Sequence, residues 1–230
     1  FISHGILVNF PTWIHDSVPN FKKQIWAPDI IHWHDKWWMA YACSSFGSNT
    51  SAIGLLTNSC LSSDSTWTDC GCIINTKEGE NDANAIDPAF IIDKKDYPWL
   101  VYGSFWDGIQ LIRLNNMMHL TIKDKPLTIA RRYPLKKQTK SELFSVRAGK
   151  NAIEAPFIFW HDGYYYLFVS WDYCCRGLKS NYRVVVGRSR QISGPYLDRK
   201  GHKMSQGGGT LVIQGDKKEF EAVGHCAVYH

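Results

Sequence analysis

Four residues able to do chemistry recur at the start of four similar segments. Asp29 sits in Trp26-Ala27-Pro28-Asp29-Ile30-Ile31, and Asp87 in Asn84-Ala85-Ile86-Asp87-Pro88-Ala89-Phe90-Ile91. Glu154 sits in Asn151-Ala152-Ile153-Glu154-Ala155-Pro156-Phe157-Ile158, and His225 in Gly224-His225-Cys226-Ala227-Val228-Tyr229. The spacings are 58, 67 and 71 residues. A lone Asp before Pro is most simply a turn cap, but recurrence at segment starts argues for a shared site. Carboxyls crowded at one place can cleave a glycosidic bond: one protonates the leaving oxygen, and the other activates water or attacks directly. Crowding and burial raise the pKa of one carboxyl and keep a proton available near neutrality. Glu154 has the longer arm and the apolar neighbours Ile153, Ala155 and Pro156, so it is the expected acid. Asp87 is expected beside it, holding its orientation and charge state. For His225, a metal- or water-binding role competes with that of a packed core histidine.

The elements that must position these residues are strands. Trp37–Tyr41, Trp99–Tyr102, Tyr164–Val169 and Arg183–Val186 are short, rich in aromatic or β-branched residues, and bounded by turn residues. Turn signals stand at Asp35-Lys36, Asp93–Asp96 and His161-Asp162-Gly163. No long helical periodicity is present. The expected fold is an all-β propeller: a period near 60–70 residues fits a four-stranded blade with long loops. The first strand of each blade lines the axis, so Asp29, Asp87, Glu154 and His225 are expected at equivalent axial positions. The whole chain, 1–230, reads as a single domain.

Composition narrows the classes. The 230 residues are 44% hydrophobic and 20% charged, which suits a globular chain and argues against disorder. The net charge of +5 comes largely from Lys123 to Lys140, including Arg131, Arg132, Lys136 and Lys137. Few aromatics interrupt that run, so it reads as a solvated loop and no nucleic-acid partner is expected. No apolar run reaches the ~18–20 residues of a membrane span, and no membrane partner is expected. No signal-peptide pattern opens the chain. Seven cysteines form no CxxC pair, which argues against a zinc ribbon. An ordinary bridge between the adjacent Cys174 and Cys175 would be strained. Aromatics make up 14%, enough for core packing with rings left over to stack on sugars. Weaker motifs are His32-Trp33-His34, which places two imidazoles on one strand face without a third ligand, and Gly207–Gly209, which lacks the Lys-Ser/Thr of a phosphate loop and reads as a turn.

With these residues in view, the chain resembles the endo-1,5-α-L-arabinanases of glycoside hydrolase family 43. The segments that carry the resemblance are WAPDI (26–30), SSFGSNTSAIGL (44–55), NAIDPAF (84–90), GSFWDGIQLI (103–112), IEAPFIF (153–159), SWDYCCRG (170–177), VGRSRQISGPY (186–196), GGGTL (207–211) and GHCAV (224–228). They span essentially the whole chain. The resemblance implies a five-bladed propeller, an inverting endo-acting mechanism on α-1,5-linked arabinan, and an extracellular or periplasmic location, because the polymer lies outside the cell. It assigns Glu154 as general acid and Asp87 as its modulator. His225 is placed near an axial ion, usually calcium, held largely through waters. Asp29, Trp26, Phe46, Asn84, Ile86, Ser104, Trp106, Cys174 and Cys175 are assigned to arabinan binding.

One part of the family pattern is not found. The general-base aspartate belongs ~60 residues before Asp29 by the repeat spacing, ahead of Phe1. Asp16 follows His15 but lies in a stretch that matches the segment before WAPDI, so it is not taken as the base; nor is Asp29. The fold is therefore expected to be incomplete in this chain, lacking the first blade and the end of the last. An isolated product of this length is expected to expose sheet edges and to associate through them, whereas the full-length protein is expected to be a monomer. Two alternatives stand beside the endo-hydrolase: an arabinan-binding propeller with impaired catalysis, and an exo-acting arabinosidase on the same fold.

Overall fold

The computed structural model describes residues 10–62, 67–121, 124–134 and 150–229. Among these residues the chain forms three four-stranded antiparallel sheets, each a simple meander. The first contains β1 (Ile25–Trp33), β2 (Lys36–Cys43), β3 (Ser51–Asn58) and β4 (Thr68–Thr76). The second contains β5 (Ala89–Ile92), β6 (Pro98–Tyr102), β7 (Ile109–Arg113) and β8 (Leu127–Ala130). The third contains β9 (Ile153–His161), β10 (Tyr164–Trp171), β11 (Arg183–Ser189) and β12 (Thr210–Gln214). A six-residue helix, α1 (Thr12–Ser17), precedes them and carries the exposed Asp16. The all-β expectation holds, and each expected strand falls inside an observed one.

Turn chemistry fixes the hairpins. His34 and Asp35 take φ of 50° and 58°, and Asp162 and Gly163 take 42° and 82°. Two successive left-handed residues make the turn whose twist matches flanking strands. This corrects the expectation for His32 and His34. β1 ends at Trp33, so His34 belongs to the turn, where it stacks on Trp33 at 3.9 Å and binds Asp96 at 2.7 Å. His32 lies against Trp37 instead, and the two imidazoles share no strand face.

The sheets pack face to face, and the middle one is buried on both sides. In β6, Leu100 and Tyr102 join a core with Trp38, Ala40, Ile53 and Leu55 of the first sheet. Val101, between them, joins Ile158, Leu167 and Val185 of the third. Alternation along a strand sends neighbours to opposite faces. Burying each such aliphatic side chain is worth about 1.5–3 kcal/mol. Two buried carboxylates tie loops to the sheets: Asp107 receives Arg131 through two nitrogens at 2.8 and 2.9 Å, and Asp172 receives Arg132 Nε and Arg183 Nε, each at 2.8 Å. Burial pushes Asp172 up, but the two guanidiniums outweigh it and hold the carboxyl below its ordinary range. Arg131 and Arg132 are thus structural; the rest of the basic run lies largely outside the described residues.

The first strands of the three sheets lie side by side, with β5 touching both β1 and β9. Asp29 Oδ2 accepts the Phe90 amide at 2.7 Å, and Asp87 Oδ2 accepts the Ala155 amide at 3.0 Å. The register corrects the expected equivalence of the acidic residues. Across a bulge in β1, Trp26 faces Ala42 and Asp29 faces Ala40. Across the matching bulge in β9, Glu154 faces Ser170 and Phe157 faces Phe168. Trp26, not Asp29, is therefore the counterpart of Glu154: aligning Ala27-Pro28 with Ala155-Pro156 puts Asp29 in the place of Phe157.

Burial pushes the Asp29 carboxyl to about 6, against amide hydrogen bonds from Phe90 and Ile30 that pull it down. A folded pKa above the unfolded one gives stability that is full below the unfolded value, about 4, and is lost as pH rises through the folded value. Asp29→Asn keeps an acceptor for Phe90 without the charge. Urea unfolding should show it near parity with the parent at pH 4 and about 2 kcal/mol more stable at pH 7. A difference that does not change with pH contradicts this account.

Candidate active site

In an antiparallel meander the start of the first strand and the end of the second meet at one end of the sheet. All three sheets present this end to a common groove of about 500 Å³. Trp26 comes from β1, Asn84 and Ile86 from the approach to β5, and Glu154 from β9. Loops after second strands supply Ser45 and Phe46, then Ser104, Phe105 and Trp106, then Tyr173, Cys174, Cys175 and Arg176.

The backbone around the groove is held in unusual conformations. Asp87, Phe105, Trp106, Ala155, Asp172 and Cys175 have φ between 32° and 70°, a region that costs non-glycine residues of order 1 kcal/mol or more each. Hydrogen bonds fasten the 103–107 loop from both sides. Gly103 N–H donates to Ile86 O at 2.9 Å, Phe105 N–H to Ile153 O at 2.8 Å, and Asn151 Nδ2 to Trp106 O at 2.8 Å. Beneath it, Ser51 Oγ donates to Asn84 Oδ1 at 2.7 Å and lies 2.7 Å from Ser44 Oγ.

Glu154 faces the groove with its carboxylate between donors. Ser104 Oγ donates to Oε2 at 2.8 Å, and Cys174 Sγ lies 3.9 Å from Oε1. Asp87 is 8% exposed. Burial first, and the Glu154 charge second, raise its carboxyl well above the ordinary range, with the Ala155 amide opposing. That retains a proton at the Asp87–Glu154 pair. The burial expected around Glu154 thus falls on Asp87 instead, because Glu154 must open to the groove.

The groove brings together Trp26, Phe46, Asn84, Ile86, Ser104, Trp106, Glu154, Cys174 and Cys175. Asp87 lies behind it beside Glu154, and Asp29 is engaged between β1 and β5 outside the lining. Both cysteines are free thiols, as are the other five. His225, with a φ of 51°, donates its amide to Ser170 Oγ at 2.8 Å. Among the described residues no three His, Cys, Asp or Glu side chains converge as metal ligands. Calcium prefers six to eight oxygens, and His225 brings one nitrogen. The described side chains do not form a direct calcium cage.

Sequence reasoning passed over Ser170, Tyr182, Tyr173 and Arg176. The Arg176 guanidinium lies 3.6 Å from the centre of the Tyr173 ring, which lines the groove beside Phe105. Both residues flank Cys174-Cys175 in the motif already noted, so their place was discoverable. Tyr182 lies just before the expected strand at Arg183–Val186 and was not singled out. Its ring is 7% exposed and lies against the backbone of Gly224.

Residues 10–230 match the model of glycosyl hydrolases family 43. The chain is 42% identical over 223 residues to an extracellular exo-α-(1→5)-L-arabinofuranosidase of Cellvibrio japonicus, covering 95% of this chain and 62% of that protein. It is 43% identical over 208 residues to an extracellular endo-α-(1→5)-L-arabinanase of Bacillus subtilis, covering 89% of this chain and 58% of that protein. It superposes with a TM-score of 0.84 and 40% identity on a Cellvibrio cellulosa α-L-arabinanase complexed with arabinohexaose, covering 92% of this chain and 67% of that one. The chain thus spans about three fifths of the length of the two relatives.

Gly103 is the pivot of the groove loop. Its φ is 128°, and a Cβ there would stand 2.4 Å from Gly108 O. Gly103→Ala should lower unfolding stability by about 2–4 kcal/mol, read as a fall in the thermal midpoint. A midpoint unchanged from the parent contradicts the close approach.

Proposed function

The chain belongs to the glycosyl hydrolases of family 43, and from that premise we propose that it cleaves α-1,5-linked L-arabinan with Glu154 as general acid. The observation that carries this reading is the pair: Glu154 opens onto an aromatic-lined groove while the buried, proton-retaining Asp87 sits beside it. Similarity to arabinan-active proteins of both bacterial relatives supports the substrate class.

In this reading the three meanders are consecutive blades of a five-bladed propeller, and their first strands line its axis. An arabinan chain lies along the groove with furanose rings against Phe46 and Trp106. Glu154 donates its proton to the leaving glycosidic oxygen as the bond breaks. Ser104 holds the carboxyl toward that oxygen, and Asp87 keeps the proton on the pair until transfer. Water enters from the opposite face in an inverting displacement and gives its proton to a carboxylate base, a role that none of the residues named here fills. Calcium beside His225, held through waters, belongs to the same proposal, as does action outside the cell. Exo-action is the second reading, favoured by the likeness to the Cellvibrio japonicus exo-enzyme.

Release of reducing ends from linear α-1,5-arabinan tests the assignment. Glu154→Gln should lower the rate at least about 10³-fold with its thermal midpoint kept, and Asp87→Asn about 10²-fold. Full activity in Glu154→Gln sinks the reading. Early products settle the mode: mixed oligosaccharides for endo-action, one small product from the start for exo-action.

Phe46 is 86% exposed, so truncating it removes ligand contact rather than core. Phe46→Ala should raise KM for arabino-oligosaccharides about 5–10-fold, corresponding to about 1 kcal/mol of stacking, with kcat held. An unchanged KM removes the ring from the binding surface.

A further inference from the structure

We propose that the connection between β11 and β12 carries a second ligand site, a cationic pocket for a carboxylate-bearing saccharide, at the end of the third sheet opposite the groove. The inference goes beyond the reaction proposed for the groove and does not depend on it.

β11 runs away from the groove. Arg183 at its start faces Trp171 at the end of β10, and Ser189 at its close faces Tyr165. The chain between Ser189 and Thr210 therefore leaves from the far end of the sheet. Residues from Asp198 to Leu211 line a cavity of about 700 Å³ there, within the range of about 300–1,000 Å³ usual for small-ligand sites. The lining sets Arg199, Lys200 and Lys203 against one carboxylate, Asp198, with His202 beside them.

That carboxylate is taken up by the fold. The Asp198 side chain is 7% exposed. Its Oδ1 accepts the amides of Lys200 and His202 at 2.9 and 2.8 Å, and its Oδ2 accepts the Gly209 amide at 3.2 Å. The same Oδ2 lies 3.3 Å from His202 Nδ1. The Arg199 amide donates to Thr210 Oγ1 at 2.8 Å. The backbone beneath the three cations is therefore fixed, while Arg199, Lys200 and Lys203 themselves are exposed. Among the described residues none of the three has an acidic partner. Like charges gathered this way repel one another and favour a bound anion.

The floor is Gly207–Gly209, the run that reads as a turn in the sequence. Gly207 has a φ of 86°, a Cβ on Gly208 would stand 2.5 Å from His202 O, and a Cβ on Gly209 would stand 2.6 Å from the Trp171 ring. Bare backbone thus faces the cavity, and among the described residues no Phe, Tyr or Trp lines it. The floor amides are already engaged: Gly207 N–H donates to Met204 O at 3.2 Å, Gly208 N–H to Lys203 O at 3.0 Å, and Gly209 N–H to Asp198. A compact phosphate calls for free amides in a nest. A nucleic-acid base, or the apolar face of a neutral sugar, calls for a ring to stack on. The pocket instead offers positive charge spread over several side chains, which suits carboxylates spaced along a saccharide.

Isothermal titration of the full chain with a galacturonate octamer reads the site. Binding should saturate, and its Kd should rise at least about 5-fold between about 50 and about 500 mM NaCl, because exposed charges are screened by salt. Arg199→Gln, Lys200→Gln and Lys203→Gln together should weaken binding at least about 10-fold, the sum of three exposed ion pairs, with the thermal midpoint kept. Lys22→Gln, Lys95→Gln and Lys125→Gln together remove the same charge elsewhere and should leave Kd within about twofold. The fully methyl-esterified octamer, equal in length and uncharged, should not bind. Equal weakening in the two triple variants, or equal binding of the methyl ester, overturns the proposal. So does equal affinity for an oligothymidylate of the same length, or occupation by inorganic phosphate that the octamer does not displace. Binding is read without turnover, so failure here leaves the groove reaction standing, and failure to cleave arabinan leaves this site standing.

Discussion

The Asp87 carboxylate accepts the Ala155 amide, and the site depends on that bond. It joins the approach to the second sheet's first strand to the first strand of the third. It also sets a buried carboxyl next to Glu154, the residue immediately before Ala155 in β9. Structural tie and chemical pair are the same contact. Burial makes the charged form of Asp87 costly, and the neighbouring carboxyl makes it costlier. A proton stays at the pair, which is the state that protonation of a leaving group requires.

The remainder of the fold serves to hold that contact still. The middle sheet is packed on both faces, so β5 cannot shift without disturbing two cores. Asp107 and Asp172 anchor their loops through arginines, and the 103–107 loop is bonded to the approaches of two first strands. Asp87, Phe105, Trp106, Ala155, Asp172 and Cys175, all with positive φ, lie where first strands begin or second strands end. Such strain persists only where the surroundings over-determine it. The groove is therefore built before a ligand arrives, which suits positioning more than induced closure.

Much of this was legible in the sequence. Short runs of aromatic and β-branched residues between Asp- and Gly-containing turns marked the strands, and the repeated segments around Asp87 and Glu154 marked the site. Trp26, Phe46, Ser104 and Cys174 were placed in the groove through the family resemblance rather than through periodicity. What escaped was register and depth. The slip between Asp29 and Glu154 came from matching acidic residues by type, where the Ala-Pro pairs at 27–28 and 155–156 set Trp26 in the place of Glu154. His34 looked like a strand residue until two left-handed turn residues took it out of β1. Tyr182 escaped because the segment that packs on it, Val223 and Gly224, lies far along the chain.

The central claim is that the buried Asp87 and the groove-facing Glu154 act as one pair. Titration of the Asp87 side-chain carboxyl by ¹³C NMR tests it most directly, in the parent and in Glu154→Gln. The account predicts an Asp87 midpoint well above the ordinary carboxylate range in the parent, moving down when the Glu154 charge is removed. An Asp87 carboxyl that titrates near 4 in both proteins contradicts it.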